Sequence, residues 1–209
     1  MQSFQDNIKN NQNEQSINDV NDLINNLKTD KFYDFINTEN LFNVKDYCTK
    51  EILLRKSDFA IPPSFHKGIL QYVLSCNPKD FISDERLTAW DISQGNIIVD
   101  DHHIRPLADA TNIKQSSKSI REKKSHVLNS PLNRTLILRS SNQKISSKTP
   151  AQYLEFINES NARNHCVDKS CYTSVVKEDM EKIYEAELEN RFKLLSHTIK
   201  TELDILIGK

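Results

Sequence analysis

The stretch Asn96-Ile-Ile-Val-Asp-Asp-His-His-Ile-Arg-Pro106 decides how the rest of the chain is read. Ser93-Gln94-Gly95 marks a turn before it, and the short β-branched run from Asn96 to Asp100 is the best strand candidate in the sequence. That run feeds directly into Asp101-His102-His103. Adjacent residues on a strand point to opposite faces, but at a strand end the second can turn into a loop, so that both histidines approach one centre. As a dipeptide the pair carries little weight, because histidines are more often surface or satisfied core residues and Asn is abundant in this chain.

Downstream, Arg134-Thr-Leu-Ile-Leu-Arg139 is a second strand candidate. The polar connection of about thirty residues between the two is long enough to be functional or disordered. Ser140-Ser141 can cap a short helix beginning near Asn142, and Pro150 opens another with Tyr153, Leu154 and Ile157 inward. From about Val175 to Ile207, apolar residues step by three or four in a long amphipathic helix. Upstream, Pro62-Pro63 breaks the chain, Ser64 can cap a helix through Leu74, and Asn77-Pro78 ends it. Helical spacing also runs from about Ile17 to Phe42 and from Val44 to Arg55, after an Asn- and Gln-rich tail. The expected class is α+β and mostly α-helical. Its parts are a flexible tail (1–16), a helical region (17–93), a strand–loop–strand–helix core (94–160) and a C-terminal helical region (161–209).

Of the 209 residues 37% are apolar, and the mean hydropathy is −0.62. No run of about 18 apolar residues is present to span a membrane. The N-terminus lacks the basic and apolar regions of a secretory signal. Four cysteines without a repeating spacing fit reduced thiols better than a disulfide framework. A cytoplasmic protein with no membrane partner is the expectation. The formal net charge is −1, but between His102 and Pro150 ten basic residues face only Asp109 and Glu122, a local balance of +8. Such a segment is either a phosphate-facing footprint or a solvated loop.

The chemistry open to these residues is specific. A neutral imidazole can ligate a divalent metal, and a second one, with an ordinary pKa of about 6.5, can remove a proton from water. An Asn oxygen is a suitable further ligand for a hard cation. Three blocks give the pair its context: Val99-Asp-Asp-His-His-Ile-Arg-Pro106, Leu128-Asn-Ser-Pro-Leu-Asn-Arg-Thr-Leu-Ile-Leu138, and Ser141-Asn-Gln-Lys-Ile-Ser-Ser-Lys-Thr-Pro-Ala-Gln-Tyr-Leu154. Together they resemble the ββα-metal (His-Me finger) core of HNH endonucleases, and more narrowly the nuclease domain of GmrSD-type restriction and phage-defence proteins. The resemblance is specific over Asn96 to Phe156 and looser outside it.

What the resemblance implies can be carried over residue by residue. His103 matches the general base, His102 the first metal ligand and Asn142 the second. Asn133 matches the residue that fixes the connection between the strands and helps orient the base; a simple turn cap is the alternative role. Asp101 is an alternative ligand or an acid that orients a histidine. Arg105, Arg139 and Lys144 are candidates to approach phosphate, with surface decoration as the alternative. His126 falls in the variable loop, outside the catalytic set. The implied cofactor is a divalent metal, Mg2+ by default, with Mn2+, Ni2+ or Zn2+ also suited to an imidazole ligand. The implied substrate is DNA, with an RNA-cleaving nuclease or a non-catalytic binding and assembly subunit as alternatives. The paired Cys-x-x-Cys motifs of many HNH proteins are missing, and His165 with Cys166 and Cys171 makes no comparable zinc set. Larger members of that family carry a nucleotide-hydrolysing domain whose signature is not found here, which leaves a partner subunit, a stand-alone nuclease or a fragment; an ATPase or GTPase partner is the expectation.

Overall fold

The computed structural model describes residues 61, 63–109, 116–123, 126–172 and 180–206, with residues 17, 21, 53 and 54 standing alone. The expected tail, the helix from 17 to 42 and most of that from 44 to 55 lie outside the described residues. The chain divides into two units, 1–49 with 196–209, and 50–195. The second is described here. It folds the region expected as a separate core, 94–160, together with the segments on both sides of it.

Helix α1 (Pro63–Ser75) begins on a proline, whose missing N–H would have no intrahelical partner in the first turn anyway. Phe65, Ile69, Tyr72, Val73 and Cys76 recur at three- and four-residue spacing and pack in one apolar cluster with Leu132, Leu188 and Leu195. Asn77 ends the helix at φ 55°, a left-handed conformation that Asn tolerates better than most residues. A short helix α2 (Ala89–Ser93) follows, with Thr88 capping it by accepting from the Asp91 amide.

Strand β1 (Val99–His103) pairs antiparallel with β2 (Arg134–Leu138), in a register that sets His102 opposite Thr135 and His103 opposite Arg134. The strand therefore starts three residues later than the β-branched run suggests and continues through both histidines. The connection between the strands contains α3 (Ser117–Glu122) and two 3-10 turns, Val127–Asn129 and Pro131–Asn133. Helix α4 (Arg139–Ile145) leaves β2 without a break and packs on both strands. It begins three residues earlier than Ser140-Ser141 suggests, with Leu138 at its N-cap and no side-chain cap of its own.

Asp80, 1% exposed, performs that task from a distant loop. It accepts from the Leu138 amide at 2.8 Å and from Ser141 Oγ at 2.5 Å, as well as from the Ile82 and Ser83 amides. Burial alone would raise this carboxyl's pKa, but the bonds from Ser141, Ser83, Leu138 and Ile82 outweigh it and hold it below the ordinary value.

Beyond α4, α5 (Pro150–Tyr153) and α6 (Glu159–Asn164) surround the inner side of the ladder. Ile104, Ile137, Ile145, Tyr153, Leu154 and Val167 form the core there with Phe81. The long helix α7 (Met180–Leu206) buries Met180, Tyr184, Leu188 and Leu195 along one stripe. Glu187 and Arg191 are buried beside them. Among the described residues the fold is thus mostly helical around one two-stranded antiparallel sheet, the expected α+β class. Among the described residues no helix is long and apolar enough to cross a membrane.

Candidate active site

Because side chains alternate along a strand, the continuation of β1 through His103 sends the two histidines to opposite faces of the ladder. The expectation that the second would turn into a loop and join the first does not hold. The turn begins one residue later, where Ile104 N donates to Asn133 O at 2.9 Å.

On the inner face His102 is 3% exposed. Its Nδ1 lies 2.8 Å from Asn142 Oδ1 on α4. Asn142 Nδ2 in turn donates to Asp100 Oδ2 at 3.1 Å, and Arg139 Nε to Asp100 Oδ1 at 3.0 Å. A carboxylate only accepts, so the amide group of Asn142 must face Asp100 and its oxygen must face His102. Burial pushes the His102 pKa down to about 4, with Arg134 adding to it and the Asn142 contact opposing it; the ring is neutral near pH 7.

Only one ring nitrogen then carries a proton. With the proton on Nδ1, the contact to Asn142 is an ordinary hydrogen bond. With it on Nε2, Tyr153 Oη at 3.4 Å can accept, since the phenol's own hydrogen goes to Ile104 O at 2.6 Å. His102 Nδ1 and Asn142 Oδ1 then present two lone pairs 2.8 Å apart. Neighbouring nitrogen and oxygen ligands of a divalent ion, each about 2.1 Å from it, stand at a similar separation. Asp100 adds a carboxylate next to them. This donor set fits a hard or borderline divalent cation that takes its other ligands from water and substrate. Among the described residues no group of three His, Cys, Asp or Glu side chains is placed to hold a metal, so the fit depends on the Asn142 amide.

On the outer face stand Asp101, His103 and Arg134, with His66 reaching in from α1. Asp101 Oδ2 is 3.1 Å from His66 Nε2 and 3.5 Å from Arg134 Nη1. Asp101 is therefore turned away from Asn142, and the carboxylate beside the candidate ligands is Asp100. The two-residue period of the strand is the reason, because Asp100 shares a face with His102 and Asp101 with His103. His103 Nε2 is buried without a hydrogen-bond partner. Burial, reinforced by Arg134, pushes this ring's pKa down to about 3, so it is unprotonated at neutral pH.

Asn133 is 1% exposed and grips Arg105 from both sides. Its Oδ1 accepts from Arg105 N at 2.8 Å, and its Nδ2 donates to Arg105 O and Leu128 O, each at 2.9 Å. It braces the backbone directly after the histidine pair, and its hydrogen bonds go to Arg105 and Leu128 and not to His103. Arg105 departs from expectation. Its guanidinium, 1% exposed, donates to Asp109 Oδ2 at 2.7 Å and through Nε and Nη2 to both carboxylate oxygens of Glu187 on α7. Two buried acids consume its charge, so it ties the turn to α7 instead of facing phosphate. Lys144 is exposed on α4, and Arg139, also exposed, is engaged with Asp100.

His165 has both nitrogens engaged, Nδ1 with Thr135 Oγ1 and Nε2 with Lys79 O, each at 2.8 Å. With its Nε2 hydrogen given to a carbonyl and Nδ1 accepting from the hydroxyl, no lone pair remains for a metal. Sequence reading overlooked Asp100, Arg134, His66, Asp80 and the Tyr153 hydroxyl. Asp100 carried a usable signal, its i−2 relation to His102; His66 and Asp80 come from distant segments and carried none. Comparison of the chain with protein-family models, curated proteins and solved structures finds no match.

Proposed function

We propose that the chain is a metal-dependent HNH endonuclease that hydrolyses DNA phosphodiester bonds as the nuclease component of a prokaryotic restriction or anti-phage system. The observation that carries this reading is the β–β–α unit in which His102 Nδ1 meets Asn142 Oδ1 at 2.8 Å beside Asp100. One residue away stands a neutral imidazole with an unengaged nitrogen.

His102, Asn142 and Asp100 would hold the divalent ion, Mg2+ by default. When bound, the ion supplies positive charge that stabilises the phosphate oxygens and the leaving 3′ oxygen. His103, on the opposite face of β1 from these ligands, would serve as base for a phosphate lying across the strand end, accepting a proton from the attacking water as the new P–O bond forms and the bond to the 3′ oxygen breaks. A base pushed down to about 3 is weak, but a phosphate brought beside it favours the protonated ring and raises that value. Asn133 keeps the strand end rigid while this happens.

A plasmid-nicking assay with added Mg2+ or Mn2+ tests the reading. The parent protein is expected to nick, and His103→Ala to lose about 100-fold or more in rate. Equal cleavage by the variant would remove the catalytic assignment. Arms with single-stranded DNA and RNA decide the substrate.

One observation favours a second reading, a non-catalytic assembly subunit that keeps the fold. His102 is 3% exposed, with protein partners at both nitrogens. Metal-independent failure of the parent to cut any of these substrates would favour it. On the nuclease reading, an ATP- or GTP-hydrolysing partner is expected to co-purify; a monodisperse protein fully active alone would contradict that part.

A further inference from the structure

Around His103, the outer face of the ladder holds further polar groups that the hydrolytic scheme leaves unused. Cross-strand partners share a face, so the pairing of His103 with Arg134 sets both side chains on the side away from Asn142. The Arg134 side chain is 17% exposed. A guanidinium offers five N–H donors, and among the described residues its partner is Asp101, through the backbone oxygen at 3.4 Å and the carboxylate at 3.5 Å. Both contacts are long, and Nε is buried with no partner. His103 Nε2, on the same face, is also buried with no partner. Arg121, on α3, adds a second guanidinium whose charge acts on both Arg134 and His103. The acid that acts on both is Asp101, itself held on its other side by His66.

Such an arrangement is costly for a fold that uses it only as filling. Arginine cannot shed its charge on burial as lysine or histidine can, and unengaged buried donors destabilise. The contrast with Arg105 is instructive, since that guanidinium is closed off by two carboxylates while Arg134 keeps donors open. A planar fork with open donors matches two oxygens of a phosphodiester. A second cation with one shared carboxylate leaves the face net positive.

We propose that this face is a phosphate-binding site for the DNA backbone, with Arg134 as its anchor and Asp101 holding the guanidinium in place until phosphate engages it. The proposal rests on the nuclease reading for the identity of the ligand, and its geometry stands apart from the metal ligands on the other face.

The test measures fluorescence anisotropy of a labelled 30-base-pair duplex in EDTA, so that binding is read without cleavage. Arg134→Gln is expected to weaken binding about tenfold and to lower the slope of log affinity against log salt by about one. Asp101→Asn removes the competing carboxylate and is expected to tighten binding about threefold, an effect opposite in sign to any loss from a damaged fold. Lys193→Gln, on the exposed side of α7, is expected to match the parent. A folded Arg134→Gln protein that binds as the parent does would overturn the proposal, as would weaker or unchanged binding by Asp101→Asn. If Arg134→Gln does not fold, the sign of the Asp101→Asn effect decides. A parent protein that does not bind the duplex, or binds an RNA probe more tightly, overturns the DNA assignment. Failure of this site and of the nuclease reading are separable. Loss of binding in Arg134→Gln with unchanged nicking by His103→Ala keeps the phosphate site and removes the base; the reverse pattern does the opposite.

Discussion

On the inner face of the β1–β2 ladder the polar groups next to the strands find protein partners, although the Tyr172 hydroxyl in the same core finds none, whereas on the outer face two buried nitrogens are left over. Thr135, His165, Asp80, Ser141, Asn142 and Asp100 are linked to neighbours through bonds of 2.5 to 3.1 Å. Arg134 Nε and His103 Nε2, on the other side of the same two strands, remain unengaged. Buried polar atoms are normally satisfied, because an unmade bond in a low-dielectric interior destabilises by about 1–3 kcal/mol. The difference divides the labour of the site. The inner face holds its side chains in fixed positions, as a set of metal ligands requires, and the outer face keeps donors open.

The contrast predicts that substitutions of the bracing residues outside the proposed metal set lower stability, while outer-face ones lower function. Asp80→Ala should have the largest effect, on the order of 4 kcal/mol, since it removes several charge-assisted bonds and the cap of α4. His103→Ala should change stability by less than about 1 kcal/mol, because its Nε2 forms no bond to lose. Urea unfolding of the two variants checks this, and equal losses would break the comparison. Asn133→Ala comes next at about 3 kcal/mol, from three bonds inside a 1%-exposed site. Its nicking activity should fall with the order of the turn.

Acid should expose the same buried rings. His102 and His165 are pushed down to about 4 and His103 to about 3, chiefly by burial. Folded values below the unfolded 6.5 mean that the unfolded chain binds more protons between those pH values. Their stabilisation is fully present above about pH 6.5 and is lost as pH falls toward 4. Tm should be flat from pH 8 to 7 and drop by about 5 °C or more by pH 4.5. A Tm that does not fall in that window would show that the rings are not held neutral by the fold. Tyr153→Phe should be a mild change, about 1 kcal/mol from the lost bond to Ile104 O. Its sharper readout is Mn2+ affinity, expected to weaken about tenfold once Nε2 of His102 loses its acceptor. Unchanged affinity would remove Tyr153 from the positioning of His102.

Much of this was legible in the chain, for reasons that can be named. The β-branched runs placed both strands and Pro150 placed the start of α5, whereas Ser64, read as the cap of α1, lies inside that helix because it begins on Pro63. Asn133 stands directly before β2 and Asn142 on the helix after it, and the structure sets Asn142 against His102. Missing from the sequence was the strand's true end. Pairing through His103 depends on a cross-strand partner thirty residues away, and it reversed the roles of Asp100 and Asp101. Arg105 was misread for a similar reason. Its partners, Asp109 and Glu187, become apparent only once α7 packs against the turn. Local composition cannot tell a buried arginine from one that meets phosphate.

The most direct measurement of the divided pair is single-turnover nicking of supercoiled plasmid across a Mn2+ titration, comparing the parent, His102→Ala and His103→Ala. A lost ligand raises the metal requirement, whereas a lost base lowers the rate at every metal concentration. The expected result is partial recovery of His102→Ala at high Mn2+ and no recovery of His103→Ala. Parental rates for His103→Ala, or the same metal response from both variants, would contradict it.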